Sequence, residues 1–145
     1  MSTPMMILPS LWLRRALWLD VAASAAVALL QLAGGARLAA ATGLPAALLL
    51  ETALFMLAWG LALLWLAGGR SGRPVPAWCV RVVIAGNLAW AVAALATGLG
   101  LAVPPAGWAL IAVHGAGVLL FAALQWAGLA RSVPQSAAGL VLQPR

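Results

Sequence analysis

Asp20, Glu51, Asn87, His114 and Gln125 stand inside long apolar stretches and are the candidate intramembrane polar sites of this chain. Two carboxyl groups, one imidazole and two primary amides could share a proton, form an ion pair or hydrogen-bond the head of a ligand. They do not amount to a catalytic set. His114 is the sole histidine, so haem ligation would require a second copy or a partner subunit. Cys79 is the sole cysteine, which excludes an intramolecular disulfide and a cysteine-built structural zinc site. No catalytic, metal-binding or nucleotide-binding motif stands out, and the residues leave any cofactor unknown.

Depth along the segments sorts the five. Asp20 lies five residues in from Arg15, Asn87 six in from Arg81, and Gln125 six back from Arg131. At ~1.5 Å per residue each sits roughly 8–9 Å inside one membrane edge. Glu51, six residues after Pro45, and His114, six after Trp108, form a second layer near the opposite edge. A polar group in hydrocarbon costs free energy unless it is paired. The first three are therefore expected to face the bundle interior, with Asp20 also within reach of Arg14 or Arg15. Interhelical bonds of this kind contribute about 0.6–2 kcal/mol each. Glu51 and His114 would meet only if both turn inward, and they are expected to handle a proton or a ligand head if they do.

The elements that must position these groups are four apolar segments, at about 11–33, 44–67, 78–101 and 106–130. About 20 apolar residues match the ~30 Å hydrocarbon core. Pro9-Ser10 supplies the first break and N-cap, and Gly34-Gly35 is expected to end the first helix before a loop over 36–43. Pro45 falls in the first turn of the second segment, Gly68 to Pro76 form a polar linker, and Pro104-Pro105 separates the last two segments. The fold expected is all-α, a four-transmembrane-helix bundle in a single domain over 1–131, followed by a cytoplasmic tail over 132–145.

Arg14 precedes Asp20 as Arg81 precedes Asn87, and Trp65 to Arg70 resembles Trp126 to Arg131. These matches suggest a two-plus-two parallel repeat of hairpins. Ala85, Ala89, Ala93 and Thr97 on the third segment repeat every four residues. Ala109, Ala112, Ala116, Ala123, Ala127 and Ala130 mark a stripe on the fourth, and the two stripes are expected to pack together.

Composition supports this organisation. Hydrophobic residues make up 66% of the chain, charged residues only 7%, and mean hydropathy is +1.09, whereas a soluble domain carries about a quarter charged residues. The net charge of +6 comes from eight basic residues, all Arg. They sit at segment ends as topology determinants, so nucleic-acid binding is not expected. Arg14, Arg15, Arg70, Arg73, Arg81, Arg131 and Arg145 share one side and only Arg37 lies on the other. The positive-inside rule then places both termini in the cytoplasm. Trp12, Trp78 and Trp108 fall at interfaces, and Trp18, Trp59, Trp65, Trp90 and Trp126 lie deeper. A cleaved signal peptide is disfavoured, because Asp20 interrupts the apolar run and the segment is long for one.

Four pieces carry a resemblance. They are Leu13-Arg14-Arg15 with Asp20; Gly43-Leu44-Pro45-Ala46-Ala47; Gly86-Asn87-Leu88-Ala89-Trp90; and Leu124-Gln125-Trp126-Ala127-Gly128-Leu129-Ala130-Arg131. Over roughly Leu11 to Arg131 the chain resembles small four-helix integral membrane proteins of bacteria that have no assigned activity. It is loosely similar to DoxX-type proteins in architecture, a likeness that implies no function by itself. The Ala-, Leu-, Gly- and Arg-rich composition agrees with a bacterial origin, and the resemblance implies the inner membrane.

Three functions are open. The first is a non-enzymatic membrane protein, either an accessory or assembly subunit or a binder of a lipid, quinone or other apolar ligand. The second is a small oligomeric transporter or channel using Asp20, Glu51 and His114. The third is a membrane enzyme, disfavoured because the required cluster of His, Cys or carboxylates is missing. The lipid bilayer is the expected partner, and a homo-oligomer or a larger membrane complex stays open. Reporter fusions at the two termini should both read cytoplasmic, and a periplasmic signal from either would overturn this topology.

Overall fold

Ser10 shows how the sequence starts its first helix. Its Oγ accepts from the Leu13 backbone N–H (3.2 Å) and donates to the Gly128 carbonyl (2.7 Å), while its own N–H donates to Ser132 Oγ (3.0 Å). One residue thus caps a helix and ties it to the end of the last one. The computed structural model describes residues 5–68 and 73–135. Within them lie α1 (Leu11–Thr42), α2 (Ala46–Ala67), α3 (Ala77–Leu101) and α4 (Pro105–Ala130), each long and apolar enough to cross a membrane. Arg70 and Arg145, the centre of the polar linker and most of the expected tail lie outside the described residues.

The first helix departs from expectation. It runs through Gly34-Gly35 and absorbs residues 36–42, which were expected to form a loop. Glycine costs only about 1 kcal/mol in a helix interior, and a helix in lipid keeps its backbone bonds rather than exposing them. The actual stop is Gly43, in the left-handed conformation (φ 68°), whose N–H caps Ala39 O at 2.9 Å. A Cβ at Gly43 would lie 2.6 Å from Pro104 Cδ, so glycine is required there twice over. At ~1.5 Å per residue α1 is about 48 Å long, more than the ~30 Å core. Arg15 and Arg37 lie 22 positions apart, about 33 Å along the axis, so the two charges can sit at opposite edges.

The helices form a ring in the order α2, α1, α4, α3: α1 packs along both α2 and α4, and α3 packs along α4. Between α2 and α3 backbone packing is sparse, and aromatic side chains span the seam. Phe55 stacks on Trp90 with centroids 4.6 Å apart, and Trp59 lies against the bare Gly86 backbone. The helix crossings rest on glycines set against large neighbours. Gly128 meets the Leu13 backbone, Gly98 meets the Trp108 ring, and Gly107 meets the Thr42 carbonyl. The alanine stripes expected to form the α3–α4 contact are instead mostly exposed; Ala85, Ala89, Ala109, Ala112 and Ala116 all face outward. Shape complementarity between a bare backbone and an indole ring decides the contact, which alanine on both sides does not supply.

Three short strands join the ends of the chain. β1 (Met6–Leu8) is central, antiparallel to both β2 (Val75–Pro76) and β3 (Val133–Gln135), with Ile7 opposite Val75 and Pro134. The N-terminal segment, the α2–α3 linker and the segment after α4 therefore meet at one end of the bundle, hereafter the sheet end. Pro76 and Pro134 sit on the outer strands, where they limit further pairing. Ile7 is buried and joins a core with Leu13, Leu17, Leu63, Leu66 and Val80.

Gly128→Ala would place a Cβ 2.6 Å from Leu13 Cα. It should lower the melting temperature in detergent, consistent with an overpacking cost of about 1–3 kcal/mol. Gly115→Ala, whose Cβ meets nothing within 4 Å, should leave stability unchanged or raise it. Equal effects of the two substitutions would contradict the packing described.

Candidate intramembrane site

Asp20 is the centre of a polar cluster sealed inside the bundle at the sheet-side level. Asp20 and Asn87 are each 2% exposed and Gln125 is fully buried. Asn87 Nδ2 donates to Asp20 Oδ2 (2.9 Å) and to Gln125 Oε1 (3.1 Å), while Gln125 Nε2 donates to the same Asp20 Oδ2 (2.7 Å). Ser24, one turn along α1, donates its hydroxyl to Asp20 Oδ1 (3.3 Å). Three helices thus share a closed triangle of side chains.

The amide orientations follow from the carboxylate. Ionised Asp20 only accepts, so Asn87 and Gln125 must both turn their NH2 groups toward it. Gln125 Oε1 is then left to accept the second Asn87 N–H. Donations to a carboxylate are charge-assisted and, in a low-dielectric setting, the strongest class available to neutral amides. The acid turns to Ser24, Asn87 and Gln125, all neutral. Its chemistry is that of a buried carboxyl group held by neutral side chains.

The second layer assembles differently. His114, on α4, is half-buried, and its Nε2 accepts from Trp90 Nε1 on α3 at 2.6 Å. The accepting Nε2 carries no proton, so the neutral ring holds its proton on Nδ1. Glu51 does not join it. It lies on the exposed face of α2, two residues from the buried Leu49 and Ala53, and lines neither interior cavity. Helical phase separates them: two residues turn a side chain by about 200° around the axis.

Gln31, a residue sequence reasoning did not single out, lies at the far end beside Thr52. Thr52 Oγ1 donates to Gln31 Oε1 (3.1 Å) and approaches Leu49 O (3.0 Å), tying α1 to α2. Its signal was available, since Gln31 is the one amide in the far half of the first apolar segment.

Two cavities follow from this arrangement. The outer one, about 280 Å³, is bounded by all four helices; Gln31, Thr52, Trp90, Thr97 and His114 supply its polar atoms amid Leu, Met, Ile and Ala side chains. The inner one, about 200 Å³, runs from His114 to Asp20, Ser24 and Asn87. Met56 and His114 line both and stand between them. No group of three or more His, Cys, Asp or Glu side chains suited to a metal ion occurs among the described residues. Cys79 is half-buried near the start of α3 and takes no part in either cavity.

Comparison with known protein families, curated proteins and solved structures finds no match for this chain. The site must be read from its own geometry.

Asn87→Leu removes two donations, leaving Asp20 Oδ2 with one and Gln125 Oε1 with none among the described residues. Stranding a buried acceptor costs about 1–3 kcal/mol, so the melting temperature in detergent should fall. Gln125→Leu should also lower it, and the double variant should depart from the sum, because the two residues bond each other and share one Asp20 oxygen. Strict additivity would contradict the shared network.

Proposed function

We propose that this protein is a non-enzymatic integral membrane protein that binds a small apolar molecule, lipid- or quinone-like, taken up from the bilayer. The outer cavity is the observation that carries the reading. Its walls are overwhelmingly apolar, with a few polar groups placed at its margin by different helices, the usual composition of a small-molecule site. A void of about 150 Å³ lined by aliphatic groups already accommodates benzene, and this one is larger. The Gln31 amide and the Nδ1–H of His114 offer hydrogen bonds to a polar head, while Leu44, Leu48, Leu110 and Ile111 surround an apolar body. The α2–α3 seam, spanned by side chains rather than by close backbone packing, provides a lateral route from lipid.

The same reading places the protein in a bacterial inner membrane with both termini and the small sheet on the cytoplasmic side, as the arginine distribution favours. Bound ligand would stabilise the fold by mass action, which suits a carrier or an accessory subunit of a larger complex. A transporter or channel reading through Asp20, Glu51 and His114 is less favoured, because Glu51 sits on the exposed face of α2.

Native mass spectrometry of the protein released from mild detergent should show one retained small molecule. Ala94→Trp, which fills the outer cavity from its α3 wall, should lose that mass while still showing the helical circular dichroism of the parent. Identical ligand-free spectra for both proteins would contradict the proposal.

A further inference from the structure

The inner cavity has a polar end made almost wholly of acceptors. Asn87 spends both amide N–H groups on Asp20 and Gln125, and Gln125 turns its amide nitrogen to Asp20. Ser24 gives its hydroxyl hydrogen to Asp20 Oδ1. Asn87 Oδ1 then takes no hydrogen bond among the described residues. Asn87 lines the inner cavity together with Asp20 and Ser24. Ser24 Oγ keeps its lone pairs free to accept, and Asp20 Oδ1 receives only the Ser24 bond. Asp20, Ser24 and Asn87 thus bring three side-chain oxygens from α1 and α3 to the lining of one cavity.

Charge points the same way. The hydrogen-bond partners of Asp20 are Ser24, Asn87 and Gln125, all neutral. A carboxylate buried in hydrocarbon calls for a counter-charge as well as hydrogen bonds. The remaining walls are apolar and aromatic, with Trp59 and Phe121 among them, and aromatic faces attract organic cations. A hydroxyl head would supply one donor to three acceptors and no charge. A primary ammonium supplies three donors and one positive charge.

We propose that the inner cavity holds the ammonium head of an amphiphilic alkylamine, its N–H groups facing Asp20 Oδ1, Ser24 Oγ and Asn87 Oδ1. The alkyl chain runs past Met56 and His114 into the outer cavity. The chain's placement rests on the apolar-ligand reading above; the head's placement rests on the oxygen cluster. Lateral uptake between α2 and α3 brings the amine past Trp90 before its head reaches Asp20, and the aromatic seam shields the resulting ion pair from lipid.

The test uses the full chain in nanodiscs of zwitterionic lipid, with n-octylamine and n-octanol as probes and tryptophan fluorescence as the readout, since Trp59 and Trp90 line the two cavities. Octylamine should saturate at a concentration on the order of tenfold below octanol. Asp20→Asn should weaken octylamine on the order of tenfold and leave octanol unchanged. Asp20→Asn also alters the acceptor that Asn87 and Gln125 share, so Gly117→Leu serves as the second variant. A Cβ at Gly117 meets nothing within 4 Å and Gly117 lines the inner cavity, so the leucine has room to start and extends into that space; octylamine saturation should be lost while the helical circular dichroism of the parent is kept. Equal binding of amine and alcohol, insensitive to Asp20→Asn, would overturn the ammonium site and leave the apolar-ligand reading intact. Full octylamine affinity in Gly117→Leu would likewise overturn it. Saturable binding of neither probe would overturn both.

Discussion

A carboxylate placed in hydrocarbon has to find donors, and Asp20 finds them on two other helices. The penalty for an unpaired ionised group in the membrane is several kcal/mol or more, so α3 and α4 must present Asn87 and Gln125 at the depth and rotation that Asp20 requires. The three bonds that result are each worth only about 0.6–2 kcal/mol in lipid. Their larger effect is selective: a rotated or slid helix would strand a buried polar atom. Ser10, Ser132 and the bare backbone of Gly128 hold α1 and α4 together closer to the sheet. Those contacts keep α1 and α4 from slipping past one another.

That anchoring explains where the bundle is loose. α2 contributes nothing to the Asp20 triangle and meets α3 through Phe55, Trp59 and Trp90. Aromatic rings bridge a wide separation, and beyond them the far half of the bundle leaves the outer cavity. Gln31 and Thr52 hold α2 to α1 at that level, and the Trp90–His114 bond holds α3 to α4. Two hairpins are thus each braced internally and joined firmly at the sheet end, with free volume between them toward the far end. A cavity with apolar walls and a polar inner terminus follows from that geometry.

Much of this was legible in the sequence, for definite reasons. Depth along a membrane helix is fixed by a constant rise from flanking arginines, so the common level of Asp20, Asn87 and Gln125 could be counted. Their inward rotation followed from the cost of exposing them to lipid. Glu51 carried no such guarantee, because a carboxylate near a membrane edge can reach water from the outer face of α2. The phase of Leu49, Ala53 and Met56, all buried, already placed it away from the interior. Gly34-Gly35 suggested a helix end, but glycine stops a helix where it turns left-handed, as Gly43 does ahead of Pro45. The alanine stripes misled because alanine is small on every face of these helices, whereas the crossings needed glycine opposite a ring or a backbone. The three strands are two or three residues long and rest on contacts between distant parts of the chain, so local sequence holds no trace of them.

The arrangement stands or falls on whether Asp20 is bonded to both amides in a bilayer. Solid-state NMR of the protein in lipid, with labelled aspartate carboxyl carbons and labelled asparagine and glutamine side-chain nitrogens, measures this directly. Hydrogen-bond geometry predicts carbon–nitrogen separations of about 4 Å or less from Asp20 to both Asn87 and Gln125. Separations beyond about 6 Å for either amide, outside any direct hydrogen bond, would contradict the account.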